Sequence, residues 1–295
     1  MAYTREQAKA KAREARLAST KEFWQRMLKS GSSKLGFILL AAIVIACIIG
    51  PFLSPYEINQ MDPLSMSAKP SLAHPFGCDT MGRDLLTRCL YGGRYSLLLG
   101  IVAALFSAVI GIAVGVAGGY FGGITEEVIM RIMDIWSSLP GMLLCILISA
   151  GMGAGFIPTI IALAIGGVPG SVRMERGQVL AERGKEYIEA AESINCSKLT
   201  IMFKHLLPNT IQPMIVSTTT SIGGTIGMAA SLSYIGLGVQ PPTPEWGALL
   251  SDGKAYITTL PHLITFPGLL IAITVFAINL MGDGLRDAMD PKMRN

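Results

Sequence analysis

Residues 95–125 read YSLLLGIVAALFSAVIGIAVGVAGGYFGGIT and contain no Asp, Glu, Lys or Arg. A transmembrane helix needs about 20 mostly apolar residues, so this stretch is long enough to cross a bilayer. Four further stretches share its lack of charge: 35–56, 135–172, 205–244 and 255–282. A helix of a water-soluble protein keeps a polar face that would interrupt such stretches. The pattern therefore predicts an all-α integral membrane protein.

The composition of the whole chain supports this prediction. Apolar residues make up 51% of the sequence and charged residues 15%, where a soluble domain carries about 25% charged residues. The mean hydropathy is +0.50. Glycine is abundant, and it occurs in small-residue runs such as Gly111–Gly123, which allow transmembrane helices to pack closely. Nothing in the composition indicates binding to nucleic acid.

We predict six transmembrane helices. The 135–172 stretch is too long for one helix, and the glycine-rich run Gly151–Gly155 divides it in two. The predicted helices cover 35–53, 95–120, 128–150, 156–172, 211–238 and 264–282. The predicted regions are a basic arm (1–34), a first transmembrane helix (35–53), a loop (54–94), a core (95–283) with loops at 173–208 and 239–263, and a tail (284–295).

The distribution of Lys and Arg predicts the orientation of the chain. These residues concentrate in the arm, in 173–204 and in the tail, whereas the opposite side has only Lys69, Arg83, Arg88, Arg94 and Lys254. Cytoplasmic loops carry the excess of positive charge, so both termini and the 173–208 loop are expected in the cytoplasm. The arm has the pattern of a basic amphipathic helix, which favours contact with anionic membrane lipid.

Charge and helical periodicity return to the sequence in residues 182–208. Two short amphipathic helices are predicted there, with Ser197 as the N-cap of the second. The polar face of the first helix carries Glu182, Glu186, Glu189 and Glu192, opposite Tyr187, Ala190, Ala191 and Ile194. Because the inner leaflet of a membrane is negative, this acidic face favours a protein partner over lipid.

Glu189-Ala190-Ala191, followed by Leu207-Pro208, resembles the EAA loop of bacterial ABC importer permeases. In that family the loop enters a cleft of the ATPase subunit and transmits its closure to the pore. The family has Gly at the position of Asn195, and Asn also tolerates the left-handed conformation. The resemblance implies an ATPase-coupling site made of Glu189, Ala190, Ala191, Asn195, Leu207 and Pro208.

Several further segments resemble the peptide and nickel branch of that family. They are HPFGCD (74–79), GRD (82–84), YGGR (91–94), LGVQPPTPEWG (237–247) and GDGLRD (282–287), and they are similar to the second, "C"-type permease of dipeptide and oligopeptide importers. The resemblance implies a type I importer permease of the bacterial inner membrane, with di- or oligopeptides as substrates, or alternatively nickel or another small solute. It also implies a homologous second permease chain, two ATP-binding subunits that hold ATP and magnesium, and a periplasmic or lipid-anchored substrate-binding protein.

The sequence contains no catalytic motif. There is no GxxxxGK[ST] phosphate-binding loop, so ATP hydrolysis is assigned to separate subunits and the chain is not expected to be an enzyme. The three histidines and five cysteines are scattered singly, which predicts neither a metal site nor a cofactor in this chain. The competing interpretation is a stand-alone secondary transporter or channel. That interpretation requires ionisable residues in mid-span, and the long stretches lack them.

Two features of the outward-facing segments remain open at this point. The charged residues Asp79, Arg83, Asp84, Arg88 and Arg94, together with Trp246, form either a gate or dock for a substrate-binding protein, or an ion-paired structure that shapes the loop. Trp246 is expected at the membrane interface. Cys78 and Cys89 would lie about 16 Å apart on a continuous helix, too far for a disulfide, so free thiols are predicted.

Overall fold

The computed structural model describes residues 22–289, so most of the predicted arm and the last six residues lie outside the described part. The described residues are helical and contain no strand beyond one isolated bridge between Cys78 and Asp84. The principal helices are α1 (Gly31–Leu53), α2 (Leu85–Phe121), α3 (Gly123–Ser137), α4 (Gly141–Met152), α5 (Phe156–Arg183), α6 (Glu186–Ser193), α7 (Leu207–Tyr234), α8 (Trp246–Gly253) and α9 (His262–Met289). The prediction of an all-α membrane protein is confirmed.

The predicted number of spans is not confirmed. Within residues 22–289, four helices are long and apolar enough to cross a membrane, namely α1, α2, α5 and α9, and a fifth span results if α3 and α4 count as one. Helix α7, predicted as a span at 211–238, is long enough to cross a membrane. Its many Ser and Thr residues keep its hydropathy below that of the four spanning helices. Its hydroxyls donate to carbonyls of its own backbone, as Thr218 does to Met214 at 2.7 Å. This internal pairing lowers the cost of placing them in lipid.

The predicted continuous helix at 128–150 is wrong. Helix α3 ends at Ser137, α4 begins at Gly141, and the two are bent by 80°. Pro140 explains the break, because it lacks an amide hydrogen and disfavours the helical conformation of the residue before it. The break predicted at Gly151–Gly155 is correct: α4 ends at Met152 and α5 begins at Phe156.

Two helices extend well beyond their predicted apolar limits. Helix α2 begins at Leu85 instead of 95, because Asp84 caps it by accepting the amide hydrogen of Thr87 at 2.8 Å. Helix α5 continues to Arg183, so the first part of the predicted 173–208 loop is helical.

Helices α2 and α5 form the most extensive helix pair of the described chain. Gly111, Gly115 and Gly119 lie four residues apart on α2 and face α5. A methyl group on Gly115 would lie 2.7 Å from Cβ of Glu175 and 2.8 Å from the carbonyl oxygen of Val172. Only glycine permits this approach, which is how small residues replace the missing hydrophobic drive between helices in lipid.

The bundle has two distinct ends. At the first, named the outer end after the orientation predicted from the sequence, the loops 54–84 and 235–261 meet in a cluster that includes Leu85, Trp246 and Leu263. At the second, called the EAA end, α6 and the segment before α7 pack on the ends of α2 and α5, where Val116, Val179 and Ile188 are buried together.

Candidate functional site

Helix α6 carries the Glu189-Ala190-Ala191 sequence at the EAA end. Ile188 and Ala191 are buried against the bundle, whereas Glu189 and Ala190 are exposed. The predicted apolar face is therefore only partly correct, because Tyr187 and Ile194 are exposed and Ile188 takes the buried position. The hydroxyl of Tyr187 donates to Glu182 at 2.7 Å. Burial and this hydrogen bond raise the pKa of Tyr187 to about 12.

Asn195 ends α6 in the left-handed conformation predicted for it, with φ of 59°. The amide of Asn195 donates to the carbonyl of Glu192 at 2.9 Å, and that of Cys196 donates to the carbonyl of Ala191 at 3.1 Å. These two bonds form the Schellman motif, which normally has Gly at this position. The turn thus fixes the angle between α6 and the next helical segment.

After this turn, one helical run leads from the EAA loop into α7. Ser197 begins it as the predicted N-cap, since its hydroxyl accepts the amide hydrogen of Thr200 at 3.3 Å. The run continues through a π-helical segment, Ile201–Leu206, directly into α7. Pro208 lies in the first turn of α7, where its missing amide hydrogen costs little. The wider π turn accommodates a proline that cannot donate to the preceding turn.

Three apolar side chains that follow Glu189 in the sequence are exposed. Ile194, Leu199 and Phe203 are 76%, 66% and 62% exposed, in a segment whose other apolar side chains, Ile201, Met202 and Leu206, are buried. We call Glu189, Ile194, Leu199 and Phe203 the docking face. Exposed apolar side chains rimmed by charge are typical of a protein interaction site.

Glu175 joins the EAA end to the helix bundle and was missed by the sequence analysis. Its side chain is fully buried on α5 and accepts a hydrogen bond from the Thr210 hydroxyl of α7 at 2.6 Å. The second carboxylate oxygen, Oε2, has no partner among the described residues. The predicted helix ended at 172, just before Arg173, so the sequence placed Glu175 in a loop.

A cavity of about 600 Å³ lies between α5, α7 and α9 at the EAA end. Polar and charged side chains contribute much of its wall, including Gln178, Glu182, Asn209, Gln212, Ser217, Thr220, Asp283 and Arg286. The sequence pattern of α7 predicts this polar wall only weakly, because Ser and Thr hydroxyls occur on several faces of the helix. The cavity can accept a solute that carries charges of both signs.

The predicted outer charged residues are brought together by the structure, and most are buried. Arg83 Nε donates to Asp79 Oδ2 at 2.6 Å, and Arg88 lies 3.8 Å from the same carboxylate oxygen. Arg88 also approaches Asp252 at 3.9 Å. Burial raises the pKa of Asp252, and the nearby Arg88 and Arg83 charges oppose this. This packing supports the ion-paired alternative over an exposed dock.

Arg94 and Trp246 lie apart from this group. Arg94 Nε donates to the carbonyl of Cys47 on α1 at 2.8 Å, which ties α1 to α2. Trp246 is fully buried, and its indole nitrogen donates to the carbonyl of Cys89 at 2.8 Å. Trp246 therefore packs inside the bundle, where Gly93 leaves room for its ring, and its level at the membrane interface stays a prediction.

Cys78 and His74 occupy positions that the sequence analysis did not anticipate. Cys78 precedes α2 instead of lying on it, and it and Cys89 are free thiols. Burial, reinforced by the nearby Asp84, Asp79 and Asp62 carboxylates, raises the pKa of Cys78 to about 11. His74 was expected to be isolated, but its Nδ1 lies 3.0 Å from Asp84 Oδ1.

Known protein families match nearly the whole chain. Residues 96–295 match the binding-protein-dependent transport system inner membrane component family, and residues 19–73 match the N-terminal TM domain of oligopeptide transport permease C. The chain is 42% identical to the glutathione transport system permease protein GsiD of Escherichia coli O157:H7, over 92% of this chain and 90% of that protein. It is 44% identical, over the same shares, to the GsiD protein of Shigella flexneri serotype 5b.

Solved structures show the same fold. One structure of the MetNI methionine ABC transporter, an inward-facing SeMet-soaked crystal form, superposes with a TM-score of 0.57 at 22% identity, over 69% of this chain and 97% of that chain. The native crystal form gives a TM-score of 0.56 at 23% identity, over 68% and 96%.

Proposed function

This chain belongs to the family of binding-protein-dependent transport system inner membrane components, and on that premise we propose that it forms half of a translocation pathway for di- or oligopeptides. It is a membrane permease subunit of an ABC importer and is not an enzyme. The proposal extends to the coupling site, the partners, the orientation and the substrate.

The observation that carries the coupling proposal is the unbroken helical run from the docking face to the cavity. Leu199 and Phe203 lie on the part of this run that precedes α7, and Gln212 and Thr220 of α7 line the cavity. A force applied to the docking face therefore moves a wall of the cavity without an intervening flexible loop. Ala191 is buried against the bundle, Asn195 sets the turn after α6, and Glu189 and Ala190 stay exposed for a partner. Leu207 and Pro208 lie where the π segment joins α7.

We assign the docking face to an ATP-binding subunit that binds ATP and magnesium. The complete importer then has two such subunits, a homologous second permease chain and a periplasmic or lipid-anchored substrate-binding protein. The EAA end, with both termini, faces the cytoplasm, as the distribution of Lys and Arg predicts. The buried outer ion pairs shape the surface that the binding protein contacts, and Asp79, Arg83, Asp84 and Arg88 act from beneath that surface.

Peptides are the substrate class that the cavity and the relatives support best. A short peptide is a zwitterion, and the cavity wall presents Glu182, Asp283 and Arg286. The GsiD relatives carry the name of glutathione, a peptide. Nickel or another small solute is the alternative substrate. Measuring the melting temperature of the cognate binding protein in the presence of each solute distinguishes these substrates from peptides. A melting-temperature rise with nickel alone contradicts the peptide proposal.

The coupling proposal is tested with Glu189→Ala in the reconstituted importer. We expect uptake and the ATPase activity stimulated by binding protein to fall at least tenfold, with unchanged amounts of assembled chain in the membrane. Glu57→Ala is the matched control, because Glu57 is equally exposed but lies at the outer end. Normal uptake by the Glu189 variant contradicts the coupling role. Uptake by this chain alone, without ATPase subunits, establishes the stand-alone transporter instead.

A further inference from the structure

Three side chains with metal-binding atoms converge at the outer end, in the loop before α2. The ligand atoms of His74, Cys78 and Asp84 all lie within 4.8 Å of one another. Among residues 22–289 this is the only group of three or more His, Cys, Asp or Glu side chains that meets this condition. The three residues are separated in sequence, and the isolated bridge between Cys78 and Asp84 is part of what brings them together.

The distances suit a tetrahedral ion after a small adjustment. Zinc binds nitrogen and oxygen at about 2.0–2.2 Å and sulfur at about 2.3 Å, so neighbouring ligand atoms stand roughly 3.3–3.6 Å apart. His74 Nδ1 and Asp84 Oδ1 are 3.0 Å apart and need to open by only a few tenths of an ångström. The Cys78 sulfur has to close a remaining gap of at most about 1.5 Å, which a change of its side-chain torsion can supply.

The surroundings of the group hold its members in place. Asp84 Oδ2 accepts hydrogen bonds from the amide and the hydroxyl of Thr87, which leaves Oδ1 directed at His74. The His74 ring stacks on Tyr56 with centroids 4.6 Å apart. The Cys78 amide donates to the Ala68 carbonyl at 2.9 Å. Such supporting contacts orient ligands at metal sites.

The hydrogen bond between His74 and Asp84 explains those two residues without a metal ion, but it does not explain Cys78. The Cys78 side chain is completely buried beside both, and it makes no disulfide. Imidazole, thiolate and carboxylate together carry two negative charges, which match a divalent ion that accepts sulfur. Zn²⁺ has this preference, whereas Mg²⁺ and Ca²⁺ prefer oxygen ligands alone.

We propose that His74, Cys78 and Asp84 bind Zn²⁺ or a similar thiophilic divalent ion, with solvent as the fourth ligand, and that the ion ties the outer loop to the start of α2. On binding, the Cys78 thiol loses its proton to solvent, and the proton on His74 Nδ1 moves to Nε2 by way of solvent. The hydrogen bond between His74 Nδ1 and Asp84 Oδ1 is thereby replaced by one bond from each atom to the ion. The site is structural and takes no part in transport chemistry. It stands independently of the substrate and coupling proposals.

The test uses the purified importer complex, stripped of metal with a chelator and titrated with Co²⁺ alone. We expect one equivalent of Co²⁺ to produce the near-ultraviolet band of thiolate-to-cobalt charge transfer, and Zn²⁺ to abolish it by competition. Cys78→Ser should remove the band and weaken binding at least tenfold. Cys89→Ser is the matched control, because Cys89 is equally buried but is not part of the group, and it should retain the band.

Two results overturn the proposal. One is the absence of a thiolate band in the wild-type complex at saturating Co²⁺, and the other is an undiminished band in the Cys78 variant. If the Cys78 variant fails to assemble, the wild-type complex still decides the question. Zn²⁺ should raise the melting temperature of the wild-type complex, and X-ray absorption at the zinc edge should show one sulfur neighbour of the ion. A zinc spectrum without sulfur contradicts the site.

Discussion

At the scale of single residues, Glu175 connects the EAA end to the packing of the bundle. Its carboxylate accepts a hydrogen bond from Thr210 on α7, and its Cβ lies against Gly115 of α2. One side chain thus contacts both helices that flank α5. A buried carboxylate with an unpaired oxygen is costly, so its charge is not what stabilises the fold.

Replacing Glu175 separates the hydrogen bond from the charge. Glu175→Gln keeps a carbonyl oxygen for Thr210, and we expect a complex at least as thermally stable as the wild type. Glu175→Ala leaves a cavity and removes the acceptor, which should cost about 1–3 kcal/mol and lower the melting temperature. The melting temperature of each variant complex is measured by heating it and quantifying the remaining assembled complex by size-exclusion chromatography. Equal losses in the two would show that the negative charge itself is required.

At the scale of helices, the α2–α5 contact depends on glycine. We expect Gly115→Val to separate the helices, since its side chain would overlap the Val172 carbonyl and Glu175 Cβ. Assembled complex recovered from membranes should fall several-fold. Gly177→Val is the control, because Gly177 lies on α5 with open space at its Cβ position. Equal recovery of both variants contradicts the close packing.

The Asn195 turn gives a second prediction at this scale. Asn195→Gly should retain transport, because glycine adopts the left-handed conformation freely. Asn195→Val should strain the turn by about 1–3 kcal/mol, since a β-branched residue disfavours positive φ. We expect its stimulated ATPase activity to fall while the chain remains in the membrane, as measured in proteoliposomes. Equal activity of the two variants would show that the turn angle does not control coupling.

These elements also show what the sequence could and could not predict. The apolar stretches predicted the helices, and the local rules for Asn195 and Ser197 predicted the turn and its cap. The helix limits were less accurate, because hydropathy reports the apolar length of a helix and not where its backbone bonding ends. Helix α5 therefore continues for eleven residues beyond the end of its apolar part at 172, as far as Arg183. The bend at Pro140 was missed because the charge-free stretch runs through it.

The functional residues divide along the same line. Glu189 and Ala191 could be proposed as coupling residues because their pattern is local, and that role stays a prediction. The burial of Ile188 in place of Ala190 depends on how α6 meets the bundle. The group of His74, Cys78 and Asp84 depends on how the single loop before α2 folds back on itself, and the burial of Trp246 depends on contacts with residues far away in the sequence. No spacing in the sequence encodes those contacts.

At the scale of the whole molecule, coupling requires the cavity at the EAA end to change when the ATPase subunits close. A ligand shifts such an equilibrium only through different affinities for the two states, so the cavity wall must differ between nucleotide conditions. Gln212 is an exposed residue of that wall, on the helix that continues from the docking face. Its accessibility is therefore the direct measure of coupling.

We expect Gln212→Cys, in a Cys196→Ser background, to react with a membrane-impermeant maleimide in the nucleotide-free complex. Trapping with ATP and vanadate should slow the reaction at least tenfold, because the cavity closes toward the EAA end. The Cys196→Ser substitution removes the only cysteine among residues 22–289 that is not buried, so the label reports on position 212. Ser32→Cys, exposed at the start of α1 and outside the cavity lining, should react equally in both conditions. If Gln212→Cys also reacts equally in both, the ATPase subunits do not act on this wall, and the path from docking face to cavity is refuted.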